Sequence, residues 1–167
     1  STQEEVRETI NFLNSCSADF ALLHCNSTYP APLMDINLNW MKDLKKMHNL
    51  IGYSGHERGI GVSIGAVAMG ALIIERHFTL DRKMEGPDHA ASLEPNSFKE
   101  LVSSIRDLEQ AMGTGGKRVL SQGEMINREN LGKSIVAKNN IDKGTVLTSN
   151  HFEVKSPGQG LSPLFIN

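Results

Sequence analysis

The sequence lacks the features that mark several large classes of protein. Its only cysteines are Cys16 and Cys25, which form neither a disulfide framework nor a metal-binding motif. No apolar run approaches the roughly 20 residues that cross a bilayer, and the polar, acidic start is unlike a signal peptide. Neither sign of charge dominates, because 17 basic residues face 19 acidic ones, and aromatic residues make up only 5% of the chain. We therefore expect no membrane or nucleic-acid partner, no aromatic stripe for stacking on polysaccharide, and a cytoplasmic location.

Helix-like and strand-like segments alternate along residues 1–112. The first helix opens with a capping-box signature within residues 1–5 and ends near Cys16. Apolar periodicity predicts strands at 20–25, 50–54 and 72–78 and further helices at 38–47, 60–69 and 98–112. Ser97 with Glu100 offers the last of these helices its cap. Because helices connect the short buried strands, we expect parallel strands, in either a doubly wound sheet or a (β/α) barrel.

Polar residues follow each predicted strand directly, and this placement favours the barrel. They are Asn26, Ser27 and Tyr29 after the first strand, Ser54 and His56 after the second, and His77, Thr79 and Asp81 at the third. Functional residues at the C-terminal ends of several strands are typical of a TIM barrel. No GxGxxG motif follows a strand. Since three strands cannot close an eight-stranded barrel, we expect this chain either to carry only the later strands of one or to pair with a missing half.

The sequence pattern changes after Gly113. Residues 114–124 are loop-like, and from Lys133 onward β-branched residues alternate with turn signals, including one around Asp142–Gly144. These patterns predict a barrel portion at 1–113, a linker at 114–132, and the truncated start of a small β domain at 133–167.

Four blocks of the sequence resemble the N-acetylneuraminate (sialic acid) synthase family. They are ALLHCNSTYPAP, IGYSGHERGI, ERHFTLDRKMEGPDHAASLEP and LGKSIVAKNNIDKGTVLT. The resemblance implies the C-terminal part of a (β/α)8 TIM barrel followed by the start of an antifreeze-like (SAF) domain, in a homodimer. It also implies a transferase of sialic acid biosynthesis that condenses phosphoenolpyruvate with N-acetylmannosamine, or a related N-acyl amino sugar, and releases phosphate.

Two histidines are the candidate metal ligands. His56 and His77 lie one βα unit apart, so they should occupy the same end of neighbouring strands. Spacing alone favours a structural, hydrogen-bonded role for each of them. The resemblance implies instead that both bind a divalent metal, Mn²⁺, with Mg²⁺ or Co²⁺ as alternatives.

The resemblance also implies substrate-binding residues. Asn26, Ser27 and Ser54 match positions that donate to phosphoenolpyruvate, whereas capping a helix or satisfying a turn would also explain such polar residues. Tyr29 and Asp88 match positions that contact the amino sugar. No residue of this chain is assigned a catalytic role, because the phosphate-binding lysines and the acid/base residue are expected on earlier strands.

Other polar residues have simpler explanations. Glu75 and Arg76 are expected to form an ion pair within the barrel, and His24, His48 and His151 are expected to be structural. His89 is left outside the site, because its loop could use it merely to pin the turn. Two alternatives for the whole chain stay open. It is either a non-catalytic fragment or interaction module of the family, or part of a pseudaminic or legionaminic acid synthase, because the sequence does not identify the sugar.

Overall fold

The computed structural model describes residues 1–165. The chain divides into two compact units, Ser1–Thr114 and Gly115–Asn167, and each contains a sheet of its own. None of the helices within the described residues is long and apolar enough to cross a membrane.

The first unit is built on a parallel sheet of three strands in the order β1-β2-β3. The strands are β1 (Leu22–Cys25), β2 (Ile51–Gly55) and β3 (Ile73–Arg76). The predicted parallel arrangement is therefore confirmed, although β1 and β3 are shorter than expected. Gly52 permits the close approach of β2 and β3, because a Cβ at this position would lie 2.5 Å from the Ile73 carbonyl oxygen.

The helices of the first unit are α1 (Gln3–Ser15), α2 (Met41–Met47), α3 (Gly61–Ala68) and α4 (Pro95–Met112). The capping box of α1 is confirmed, since Thr2 and Glu5 each bond to the backbone N–H of the other. The predicted cap at Ser97 is wrong, because α4 begins at Pro95 with Glu94 as its N-cap residue. Proline suits the first helical position, and it sets the start of α4 two residues before Ser97.

The core of the first unit lies where α2 and α3 pack on the sheet. Its fully buried members include Met41, Ile51, Tyr53 and Ala66. Burial of these side chains, which come from three elements, fixes the positions of the strand ends. The polar residues that follow the strands are held in place by the same packing. The first unit also contains single-turn 3-10 helices at Leu33–Asp35, Leu38–Trp40 and His89–Ala91.

The second unit contains α5 (Gln122–Leu131) and an antiparallel pair formed by β4 (Ser134–Ala137) and β5 (Phe152–Lys155). The predicted turn near Asp142 is confirmed by a bond from the Thr145 N–H to the Asp142 carbonyl. The loop-like character expected for residues 114–124 is wrong from Gln122 onward, where α5 begins. Short 3-10 helices at Ser149–His151 and Pro163–Phe165 complete the described part of this unit.

Candidate functional site

The C-terminal ends of the parallel strands bring His56 and His77 together. His56 follows β2 directly and His77 follows β3, and the two imidazole ring centroids are 5.0 Å apart with ring planes at 88°. Both residues are half-buried. An imidazole nitrogen binds a transition metal at about 2 Å, so these rings are close enough to share one ion between their nitrogens.

The ring orientation of His56 is fixed by a backbone carbonyl. Its Nδ1 lies 2.8 Å from the Asn26 carbonyl oxygen, and a carbonyl only accepts hydrogen bonds. The proton of the neutral ring therefore resides on Nδ1, and the Nε2 lone pair is left for another partner. This is the arrangement that metal-binding histidines commonly adopt.

Tyr29 packs against both histidines. Its ring centroid lies 5.4 Å from that of His56 and 4.7 Å from that of His77. Its hydroxyl donates to the Asp88 carbonyl oxygen at 2.5 Å and lies 3.2 Å from the Ser92 hydroxyl. Tyr29 thus ties the loop after β1 to the loop after β3, and the Asp88 residue reaches the site through its backbone, while its side chain is exposed.

The two candidate phosphoenolpyruvate donors after β1 differ in how their side chains are used. The Asn26 amide donates to the Asp35 carbonyl at 3.0 Å and accepts from the Thr28 N–H at 2.9 Å. Both ends of that side chain therefore shape the loop. Ser27 is exposed beside it, so Ser27 is the better placed of the two to reach a ligand.

Ser54 lies opposite Glu75 in the register of β2 and β3. Its hydroxyl donates to the Glu75 carboxylate at 2.6 Å. While that bond is made, the Ser54 oxygen can only accept from a further partner. Release of Glu75 would be needed for Ser54 to donate to an anionic ligand.

The sequence neighbours of the two histidines form a buried ion pair that the sequence did not reveal. Arg76 and Glu57 have side chains that are 1% and 0% exposed, and the Arg76 guanidinium lies 3.0 Å from the Glu57 carboxylate. The expected pairing of Arg76 with Glu75 is therefore wrong. In the parallel register Arg76 lies opposite Gly55, and the absence of a side chain there gives the guanidinium room to reach Glu57.

Tyr53 completes this buried cluster. Its hydroxyl donates to the Glu57 carboxylate at 2.7 Å. Burial, together with this hydrogen bond to Glu57, raises the pKa of Tyr53 far above its usual range. The phenol therefore remains a proton donor throughout the neutral range.

The sequence profile of the NeuB family matches residues 1–117, which include all the residues described above except those of the second unit. The chain belongs to the NeuB family. The resemblance to sialic acid synthases is thereby confirmed.

Named relatives agree with the NeuB assignment. The chain is 44% identical to the N,N'-diacetyllegionaminic acid synthase of Campylobacter jejuni over 164 residues, which cover 96% of this chain and 49% of that protein. It is 45% identical to the human N-acetylneuraminate-9-phosphate synthase over 156 residues, which cover 92% of this chain and 42% of that protein. The chain thus spans about half the length of the curated relatives it matches.

A solved structure agrees as well. The crystal structure of the N-acetylneuraminic acid (sialic acid) synthetase of Leptospira borgpetersenii in complex with citrate superposes with a TM-score of 0.69 at 34% identity. The match covers 77% of this chain and 46% of that one. The parallel sheet of this NeuB chain therefore corresponds to part of a sialic acid synthetase fold.

Three other histidines of the NeuB match make structural contacts. His24 Nε2 lies 2.6 Å from the Ile36 carbonyl, and His48 Nε2 lies 2.9 Å from the Phe20 carbonyl. His89 Nδ1 lies 2.7 Å from the Thr79 hydroxyl. The first two contacts agree with the structural roles expected for His24 and His48, and the third with His89 pinning its loop. His151, also expected to be structural, accepts from the Thr148 N–H at 3.0 Å.

The donor set of this NeuB site fits a cation that keeps open coordination positions. No group of three histidine, cysteine, aspartate or glutamate side chains is arranged to hold a metal anywhere in residues 1–165. The histidine pair would therefore supply two nitrogen ligands, and oxygen ligands from solvent, substrate or other protein segments would have to supply the rest. Such a mixed nitrogen and oxygen set suits Mn²⁺ or Mg²⁺ better than a closed structural zinc site.

Proposed function

We propose that this chain forms part of an enzyme that condenses phosphoenolpyruvate with an N-acyl amino sugar, N-acetylmannosamine or a close relative of it. In this reaction the methylene carbon of phosphoenolpyruvate forms a C–C bond with the aldehyde carbon of the sugar. Water then adds at the resulting cationic carbon, and phosphate leaves by C–O cleavage. The products are a sialic-acid-type sugar acid and inorganic phosphate.

The observation that carries this proposal is the pairing of His56 with His77 at the strand ends. The Asn26 carbonyl holds the proton of His56 on Nδ1, so the Nε2 lone pair is available to a divalent cation, Mn²⁺ in the first instance. When such a cation is bound, it supplies Lewis-acid polarisation of the sugar aldehyde. The two rings would hold it, and Tyr29 would limit their movement by packing against both.

The remaining candidate residues would orient the substrates. Ser54 and Ser27 would contact phosphoenolpyruvate, with Ser54 released from Glu75 when the anion binds. Tyr29 and Asp88 would lie on the amino-sugar side, where the exposed Asp88 carboxylate can accept from sugar hydroxyls. The cationic residues that such an anionic substrate needs would come from outside this chain.

The wider architecture is part of the same proposal. The first unit would supply the later strands of a (β/α)8 barrel, and the second unit the start of an antifreeze-like (SAF) domain. The whole protein would act as a cytoplasmic homodimer. Support comes from the parallel sheet, from the placement of polar residues after each strand, and from the superposition on the Leptospira synthetase.

The identity of the sugar is best proposed as a class. Relatives of 44% and 45% identity are named for legionaminic acid and for N-acetylneuraminate 9-phosphate, and a pseudaminic acid synthase is 35% identical. A legionaminic acid synthase is therefore the second candidate function.

The experiment uses the full-length protein that contains this chain. Phosphate release is measured with phosphoenolpyruvate and a panel of N-acyl hexosamines, free and 6-phosphorylated, after metal removal and after addition of Mn²⁺. We expect turnover with one or more sugars only when the metal is present. His56→Ala and His77→Ala should abolish that turnover and lower the bound metal measured by elemental analysis.

His48→Gln is the matched control, because His48 precedes β2 whereas His56 follows it. This variant also retains a donor for the Phe20 carbonyl, so turnover and metal content should match the wild type. Near-normal turnover with unchanged metal content in either alanine variant would remove that histidine from the ligand set. Failure of the wild type on the whole panel, with the metal bound, would refute the condensation itself.

A further inference from the structure

The Arg76 side chain makes more contacts than an ion pair requires. One terminal nitrogen donates to the Glu57 carboxylate at 3.0 Å, to the Gly59 carbonyl at 2.7 Å and to the Ser63 hydroxyl at 3.0 Å. The other donates to the Glu57 carbonyl at 2.6 Å. Two of the four acceptors are backbone groups of the loop that follows His56.

These contacts join the two chain positions next to the candidate ligands. Glu57 follows His56 in the sequence, and Arg76 precedes His77. The guanidinium is planar and its donors have a fixed geometry, so bonds to both Glu57 and Gly59 set the path of this loop relative to β3. The relative position of the two histidine backbones is fixed by the same contacts.

Stability alone is a weak explanation for this cluster. Taking both charges out of water costs several kcal/mol per ion, and well-packed apolar residues often replace a buried ion pair without loss of stability. A surface pair in the same unit, Arg106 with Glu109, is 67% and 48% exposed and bridges a single helical turn. The buried pair instead connects two elements at the site.

We propose that Arg76 and Glu57 are positioning residues that hold His56 and His77 in the arrangement required to bind one divalent cation. They act through the backbone of residues 55–59 and do not contact the cation. This inference rests on the proposed function for the metal, but the ordering of the loop can be measured without any metal.

The test is the double variant Glu57→Gln/Arg76→Met in the full-length protein. Both charges are removed together, so no buried charge is left unpaired, and the glutamine oxygen can still accept from Tyr53. The matched control is Glu109→Gln/Arg106→Met, which makes the same two changes at the surface pair. Three quantities are compared: the melting midpoint, the Kd for Mn²⁺ by titration calorimetry, and amide hydrogen exchange of residues 55–60 without metal.

We expect the double variant to exchange faster across residues 55–60 and to melt below the control, because Arg76→Met leaves the Glu57 and Gly59 carbonyls without their donor. Its Kd for Mn²⁺ should be about 10- to 100-fold higher, the usual cost of losing groups that orient metal ligands. Wild-type Mn²⁺ affinity in the double variant would overturn the proposal. Should the double variant melt far lower, Arg76→Lys decides the question on the same readouts, because it retains the charge but not the planar fork.

The failure of the metal site itself would look different. A wild-type protein that binds no Mn²⁺ would refute the proposed metal function. The exchange comparison would still decide whether Arg76 and Glu57 order the loop, since unchanged exchange of residues 55–60 in the double variant would refute positioning independently.

Discussion

Replacing Gly55 by alanine should destabilise the protein, because the added methyl group would overlap the buried cluster of Tyr53, Glu57 and Arg76. An added Cβ would lie 2.8 Å from Cδ of Arg76, 2.9 Å from the Glu57 carboxylate and 2.9 Å from the Tyr53 ring. All three distances are shorter than an ordinary van der Waals contact. These neighbours cannot yield easily, because the Arg76 and Glu57 side chains are 1% and 0% exposed and Tyr53 is 1% exposed.

The expected magnitude follows from overpacking. An extra methyl group forced into a filled interior costs about 1 to 3 kcal/mol in free energy of unfolding. For a domain of about 150 to 250 residues, each kcal/mol lowers the melting midpoint by about 2 to 4 °C. We therefore expect Gly55→Ala to lower the midpoint of the full-length protein by about 2 to 12 °C.

Thermal unfolding followed by circular dichroism measures this change. Gly61→Ala is the control, because Gly61 opens α3 and an added Cβ there meets no atom within 4 Å. Alanine is favoured over glycine in a helix by up to about 1 kcal/mol, so this variant should melt at or slightly above the wild-type midpoint. Equal midpoints for Gly55→Ala and Gly61→Ala would refute the close packing argued for Gly55.

Two further predictions concern neighbouring residues. Ser54→Ala should raise the KM for phosphoenolpyruvate about 10- to 100-fold, because a lost donor to a charged oxygen costs about 1.5 to 3 kcal/mol. The KM for the sugar should stay nearly unchanged. Steady-state kinetics with each substrate varied in turn check this, and a rise confined to the sugar KM would contradict it. For Tyr53, the raised pKa means that above pH 10.0, its ordinary value, the unfolded chain loses the phenolic proton while the folded chain retains it. The free energy of unfolding should therefore fall by about 1.4 kcal/mol per pH unit as pH rises further. Denaturant unfolding of the wild type and of Tyr53→Phe between pH 9 and 11 tests this. Equal slopes of the free energy of unfolding against pH for the two proteins would contradict it.

The sequence was sufficient for the elements that local pattern determines. Apolar runs located the three parallel strands, and their regular spacing with intervening helices implied that His56 and His77 would lie at one edge. The cap of α4 was misplaced because Ser97 and Glu100 fit the capping-box pattern, whereas the helix begins two residues earlier, at Pro95. Helix α5 was missed within a glycine-rich segment, although Ser121 and Glu124 form a capping box that the sequence already contains.

The buried cluster of Tyr53, Glu57 and Arg76 could not be predicted from the sequence pattern. The partner of Arg76 depends on the register of β2 with β3, which places Arg76 opposite Gly55. Glu75 is the nearest acid in the sequence, but successive strand residues point to opposite faces of a sheet, so adjacent residues cannot share one buried cluster. The use of the Asn26 amide within its own loop likewise depends on Asp35, nine residues away.

The bond between Tyr29 and the loop after β3 has a consequence for which substitutions that loop can tolerate. Tyr29 and Ser92 both donate to the backbone carbonyl of residue 88, and a carbonyl is present whatever the side chain. The aspartate carboxylate can therefore be exchanged for another group without loosening the loop. Under the proposed function, a substitution at position 88 would therefore change the contact to the sugar while leaving the hydrogen bonds that hold the loop in place.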